Sequence, residues 1–235
     1  MTRSRVAGLC LAVALVSVLI LAAPAAAGNY FAIRYWPSST SVSLSGGASF
    51  RAYDNSLVSL SYRRDVAPSW AASFNLDFGA QSNFAGTWAG ATGGSNTYWN
   101  INLHRTFQGQ NTMMSLFAGY QRASDRSTFG TDQIHSVSGP RIGGDLAWHQ
   151  GAWGFMAWAA AGVGMGGSTT QTGSTTGSGS GSFSEYGALL VYTVSGWNVE
   201  GGYRVVNFGV PAGGSFLAAN FSTTGLTIGV SRMWP

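Results

Sequence analysis

The sequence predicts an all-β chain that closes into a transmembrane antiparallel up-and-down barrel of about ten strands, with eight or twelve as alternative counts. Three observations carry this expectation. Only 9% of the 235 residues are charged, while 45% are hydrophobic and 13% aromatic; a water-soluble domain carries about 25% charged residues, so the chain lacks the groups that face water. The same composition excludes a disordered chain, which is polar and highly charged. Second, no stretch after the first 27 residues approaches the roughly 20 apolar residues of a membrane helix, and the remaining way to satisfy a backbone in lipid is a closed barrel. Third, much of the chain alternates apolar and polar residues at period 2, the repeat of a strand with one greasy face.

The N-terminus stands apart from that pattern. Arg3 and Arg5 precede an apolar run from Val6 to about Ala23, and Ala25-Ala26-Ala27 follow before Gly28. A basic start, a short apolar stretch and a small-residue A-x-A site make a secretory signal peptide; a retained anchor helix is the alternative. The expected organisation is a cleaved Sec-type signal over residues 1–27 and a barrel domain over residues 28–235. Cys10, the only cysteine, leaves with the signal, so the exported chain has neither disulfide nor thiol. All twelve basic residues are Arg, and losing Arg3 and Arg5 leaves ten against eight acids. They are scattered rather than clustered, which argues against a nucleic-acid partner.

Ten segments carry the alternation. In Ser69 to Gly79, Trp70, Ala72, Phe74, Leu76 and Phe78 share one parity, and Ala71, Ser73, Asn75 and Asp77 the other. Tyr98 to Phe107 repeats it with Trp99, Ile101, Leu103 and Phe107 outward. Further outward rows are Met114, Leu116, Ala118 and Tyr120; Ile142, Gly144, Leu146 and Trp148; Trp153 to Val163; Tyr186 to Tyr192; Trp197 to Val205; and Leu226, Ile228, Val230 and Trp234. Weaker rows are Phe31, Ile33 and Tyr35, and Val58, Leu60 and Tyr62. Four connections are tight-turn material: Asp65 to Pro68, Gln108 to Asn111, Gln150-Gly151 and Ser195-Gly196. The other five read as long loops: Pro37 to Asn55, Ala80 to Asn96, Gln121 to Ser136, Gly166 to Ser182 and Phe208 to Asn220. Alternating short turns and long loops fit periplasmic and extracellular ends. Gly166 to Ser182, nearly all Gly, Ser and Thr, reads as a flexible tract. Alternation of Val42, Leu44, Phe50 and Ala52 allows strands one and two to extend as a hairpin, or an additional pair.

Aromatic residues gather where such a barrel meets the bilayer interfaces. Phe31, Trp70, Phe107, Trp148, Trp153, Tyr192, Trp197 and Trp234 fall near the periplasmic ends, and these rings in a soluble β-sandwich core are the competing interpretation. The last segment, Thr223-Thr224-Gly225-Leu226-Thr227-Ile228-Gly229-Val230-Ser231-Arg232-Met233-Trp234, resembles the closing strand of bacterial outer-membrane β-barrel proteins, the class of small OmpA, OmpX and opacity-like barrels. The resemblance implies an assembly signal at Thr223, Gly225, Ile228, Val230 and Trp234, insertion by the barrel-assembly machinery, and an outer membrane with lipopolysaccharide as neighbour. Arg232 in the outward row and Pro235 after the Trp depart from that pattern.

Parity also assigns the lumen. Arg34, Arg63, Asp77, His104, Arg141, Asp145, His149, Glu185, Glu200 and Arg204 point inward, with Asn100, Asn102 and Asn198. Small barrels fill their lumen with side chains and buried charges must pair, so the expectation is an ion-pair plug, with Arg141 beside Asp145 and Glu200 beside Arg204. An enzymatic interpretation takes Asp145 with His149, or His104 with Asp77, as acid–base pairs. Inward glycines (Gly143, Gly154, Gly162, Gly187, Gly202, Gly225, Gly229) leave room for a thin water path. Three scattered histidines imply no metal, and no cofactor is implied. The expected role is structural, surface-binding or small-solute conduction, without catalysis; an outer-membrane protease or lipid hydrolase, or a secreted binding module, are the alternatives.

Overall fold

The computed structural model describes residues 28–171, 174–212 and 217–234; the expected signal peptide, Cys10 and Pro235 lie outside them. Twelve strands follow in order: β1 (Asn29–Leu44), β2 (Ser49–Ala67), β3 (Trp70–Ser82), β4 (Gly93–Gln108), β5 (Thr112–Thr128), β6 (Asp132–Gln150), β7 (Trp153–Gly162), β8 (Gly166–Gln171), β9 (Ser174–Ser180), β10 (Ser182–Val194), β11 (Trp197–Val210) and β12 (Ala219–Trp234). Ten of them close into an antiparallel barrel. Neighbours in sequence pair throughout, β7 passes to β10, and β12 returns to β1. The remaining pair, β8 and β9, is a hairpin hung on β6.

One end, called the near end below, holds Asn29, Trp234 and the four tight turns. Ser195 and Gly196 both take the left-handed conformation, at φ 50° and 78°, the two-residue geometry that matches the twist of the strands it joins. At the far end three of the five expected long loops are mostly strand, those over 37–55, 121–136 and 166–182: β5 and β6 are separated by three residues, 129–131, and β1 and β2 by four, 45–48. Crossing lipid takes about 9–11 residues of tilted strand, whereas β5 has 17 and β6 and β2 have 19. The excess rises beyond the membrane.

The outer face shows where the membrane stops. On β5, Met114, Leu116 and Tyr120 are exposed apolar residues, and the next outward positions are Arg122, Ser124 and Arg126. From that height the polarity of the alternation inverts. Ser39, Ser41 and Ser43 point out while Val42 turns in; Ser222 points out while Phe221 turns in; Ser138 points out while Val137 turns in. With water outside, the only place to bury apolar area is the inside. Trp36, Tyr53, Tyr98, Val137, Val206, Phe208 and Phe221 therefore form a core within the far lumen, and Trp88, on a short 3-10 turn in the β3–β4 loop, closes over it.

The Gly-Ser-Thr tract is not the flexible loop that its composition suggests. β7 has only 10 residues against 19 in β6, which strips the far half of β6 of its neighbour. β8 takes that place, pairing Gly166–Gln171 with Ser138–Gln133. An unsatisfied row of backbone groups outweighs weak strand propensity.

Candidate functional site

Inside the lipid band the lumen is charged. Arg204 donates to both carboxylate oxygens of Asp77, at 2.8 and 2.7 Å, and through Nε to Glu185 at 3.0 Å. Arg141 lies 3.3 Å from the other Glu185 oxygen, with its guanidinium over the rings of Phe117 and Phe183. Arg34 donates to Glu200 at 2.6 Å and to Ser61 at 3.0 Å, and Tyr30 closes this corner by donating to Glu200 at 3.0 Å. Arg63 reaches Asp145 at 3.4 Å and donates to Thr106 and Ser115, both at 2.9 Å. Four arginines and four carboxylates are thus matched across strands in one belt.

The pairs expected along single strands do not form: Arg141 takes Glu185 rather than Asp145, and Glu200 takes Arg34 rather than Arg204. Residues four apart on a strand are separated by roughly 13 Å, whereas cross-strand neighbours lie about 5 Å apart. The same spacing separates Asp145 from His149, and on the paired strands β3 and β4 Asp77 lies opposite Tyr98, six residues from His104. Asp77 belongs to Arg204, and Asp145 faces His104 across 3.3 Å, while His149 is exposed at the near rim. His104 is buried, and its Nε2 lies 2.8 Å from Ser73 Oγ. Asn102 donates to that same Oγ at 3.1 Å and to Asn100 at 2.8 Å. Inward parity on β3 contained Ser73, but only the β3–β4 register, which sets Ser73 opposite Asn102 and Ala71 opposite His104, brings it to the imidazole.

Below the belt the lumen widens into a cavity of about 880 Å³, opening at the near end between the β4–β5 turn, Trp148 and Trp234. Its walls differ. The β3–β4 wall carries the amides of Asn75, Asn100 and Asn102, and the β7–β10 side contributes Met156, Leu189 and Val191 beneath Glu185. Above the belt the lumen is filled. Arg204 stacks 4.6 Å over Trp36, Phe208 and Phe221 stack at 4.7 Å and 6°, and Trp88 meets Phe221 edge-on at 88°. Nor do the inward glycines leave a path: a Cβ on Gly202 would sit 1.9 Å from the Ala188 carbonyl, and Phe117 and Trp158 lie over Gly143 and Gly187.

Among the far-end side chains, Asp125 accepts from Tyr53, from Gln81 at 2.7 Å and from Ser127 at 3.3 Å. Burial pushes its carboxyl up to about 7, against the pull of those hydrogen bonds. His135, opposite it across β5 and β6, lies 5.2 Å from the Phe221 ring, and burial pulls it down to about 4. Burial also pushes the Tyr53 phenol well up.

On the outside, Trp70, Phe107, Trp148, Trp153, Tyr192 and Trp197 are exposed near the near end, with Phe31 half-buried and Trp234 at the cavity mouth. Arg105 and Arg232 lay their guanidinium groups over Trp70 and Trp197, at 5.3 and 5.2 Å, so Arg232 in the outward row covers an aromatic ring. In β12, Thr223 faces inward and bonds Thr40 at 2.7 Å. Gly225 packs under Pro37 and Ser38, and Ile228 and Val230 are exposed outward.

No family model matches the chain, and no curated protein matches it by sequence. Solved structures do. The outer membrane protease OmpT of Escherichia coli superposes with a TM-score of 0.61 at 11% identity, covering 88% of this chain and 96% of that one. More distant are the translocator domain of the autotransporter NalP from Neisseria meningitidis (TM-score 0.43, 10% identity, 97% and 95% covered) and the attachment invasion locus protein Ail of Yersinia pestis (0.40, 9%, 88% and 99%). The chain has the fold of a bacterial outer-membrane β-barrel.

Proposed function

We propose that the protein is a sealed barrel of the outer membrane that holds a water-accessible chamber toward the periplasm and a rigid β-extension outside the cell, and that it does not conduct solutes. The observation that carries this is the aromatic core filling the far lumen, where Trp36, Tyr53, Phe208 and Phe221 are each 2% exposed or less. The apolar band and its bordering rings support residence in lipid. Lipopolysaccharide as a neighbour and recognition of Thr223, Gly225, Ile228, Val230 and Trp234 by the assembly machinery belong to the same proposal, as does cleavage after Ala27, which N-terminal sequencing of the membrane-extracted chain checks by finding Gly28 first.

Planar-bilayer recording tests the sealed lumen. Silence at protein densities where a porin gives steps is expected, and reproducible steps from the wild type overturn it. OmpT is a protease by its name, but at 11% identity the likeness reaches the fold alone. Neither acid–base pair suggested by the sequence forms, so the proposal for the barrel wall and the plug is a scaffold role; one grouping of side chains in the chamber stands outside it.

A further inference from the structure

That grouping is Ser73, His104 and Asp145. Its hydrogen bonds have a direction. Asn102 Nδ2 donates to Ser73 Oγ at 3.1 Å, which leaves the Ser73 hydroxyl proton free to point at His104 Nε2, 2.8 Å away. A carboxylate oxygen of Asp145 lies 3.3 Å from His104 Nδ1, an ion-pair contact outside hydrogen-bond geometry; its negative charge favours the tautomer with the proton on Nδ1, which presents Nε2 as a base. Arg63 holds the other Asp145 oxygen at 3.4 Å. This is the arrangement in which a hydroxyl becomes a nucleophile, defined by geometry and role rather than by chain order.

The surroundings suit a substrate. All three side chains line the near-end chamber, whose volume lies within the range of small-molecule pockets. Met156 pairs with Ala147, two residues from Asp145, and with Leu189 and Val191 gives the adjoining β7–β10 wall an apolar surface for an acyl chain. The amide protons of buried Asn102 are held by Ser73 and Asn100, and exchanging the bond to Asn100 for one to the substrate would offer an N–H to a developing oxyanion beside Ser73.

We propose that Ser73, His104 and Asp145 form a hydrolytic site inside the barrel for small acyl esters entering by the near-end mouth. Ser73 Oγ attacks the ester carbonyl carbon as its proton passes to His104 Nε2. The C–O bond to the alcohol breaks, and the leaving alkoxide takes that proton. Water then attacks the acyl-Ser73 bond, giving its proton to His104, and the carboxylic acid departs with Ser73 reprotonated. Ser73 and His104 are catalytic residues here; Asp145 is a positioning residue. Because the site needs the chamber alone, it stands or falls separately from the sealed far end.

The test uses the full exported chain folded in detergent, with the slower or faster migration of unheated against boiled sample reporting the fold. A small alkyl fluorophosphonate should phosphonylate Ser73, Oγ displacing fluoride at phosphorus, and peptide mass mapping should place the adduct there. Ser73→Ala should lose it. His104→Gln should label at least about 100-fold more slowly, the contribution of a positioned general base. Asp145→Asn should lower kcat for p-nitrophenyl butyrate while KM and the heat-shift stay as in the wild type. Wild-type labelling decides even where a variant fails to fold: a folded barrel without an adduct on Ser73, or with its adduct on another serine, overturns the proposal. Equal labelling of folded His104→Gln overturns it as well.

Discussion

The charged belt and the aromatic plug fill one lumen a few rungs apart on the same strands, yet opposite terms hold them. Beside the belt the wall faces lipid, so the outward positions take the apolar residues and the inward ones are left to polar groups, which must then satisfy one another. Arg204 meets two carboxylates and a tryptophan face there. Beside the plug the wall faces water, and the apolar residues move inside, where Phe208, Phe221 and Trp88 pack ring on ring. The comparison teaches that the contents of a barrel are set by what lies outside its wall at each height.

The strongest way to break the comparison is at its boundary. Arg204→Ala strands Asp77 and Glu185 without their shared cation and should cost about 3–5 kcal/mol, read as a large fall in the urea midpoint; a change below about 1 kcal/mol would mean that water already screens the belt. Next comes Phe221→Ala, which should cost about 3 kcal/mol through the cavity it leaves while the belt keeps the barrel electrically silent. Steps from that single variant would show that the plug alone seals the lumen.

Proton linkage sharpens the contrast at smaller scale. Asp125 is raised from 3.8 to about 7 on folding, so its contribution is full below 3.8 and lost as pH rises through about 7. His135 is lowered from 6.5 to about 4, so its contribution is full above 6.5 and lost as pH falls toward 4. The two slopes oppose between about pH 4 and 6.5, and stability of the far end there should be nearly flat. In Asp125→Asn the His135 slope should remain alone, about 1.4 kcal/mol per pH unit at most, with urea midpoints falling as the solution is acidified; a flat series would refute the pairing of these two groups. Smallest of all, Arg51→Ala should shift stability by less than about 1 kcal/mol, because its contact with Asp54 lies on the outer surface with the arginine side chain 62% exposed.

How much of this was legible in the sequence follows from the same contrast. The rule that apolar residues face out works for Leu116 or Ile228, whose surroundings are lipid. It misreads the sense of Val42, Val137 and Phe221, which alternate just as regularly with the opposite parity, so that Gln121 to Ser136 passes for a loop and the extension of strands one and two stands only as an alternative. The inversion is itself a signal: a serine-spaced row such as Ser39, Ser41 and Ser43 continuing the outward parity of Ile33 and Tyr35 marks the height at which lipid ends. Belt residues were legible by parity, but their partners were not, since Asp77 and Arg204 lie 127 positions apart and a pair of that kind depends on barrel closure. The β8–β9 hairpin escaped because its cause, the short β7, lies in another element.

That hairpin also bears on how copies of the barrel coexist at high density. Every barrel strand has neighbours on both sides, whereas among the described residues β9 ends the sheet and presents an edge that a second chain could extend. Its composition discourages this: Ser174–Ser180 offers no aliphatic or aromatic side chain, and Gly167 and Gly179 sit against Pro211, which has no N–H to lend to a ladder. Where such barrels crowd side by side in a membrane, the composition of this rim disfavours strand-by-strand adhesion at the one sheet edge it presents.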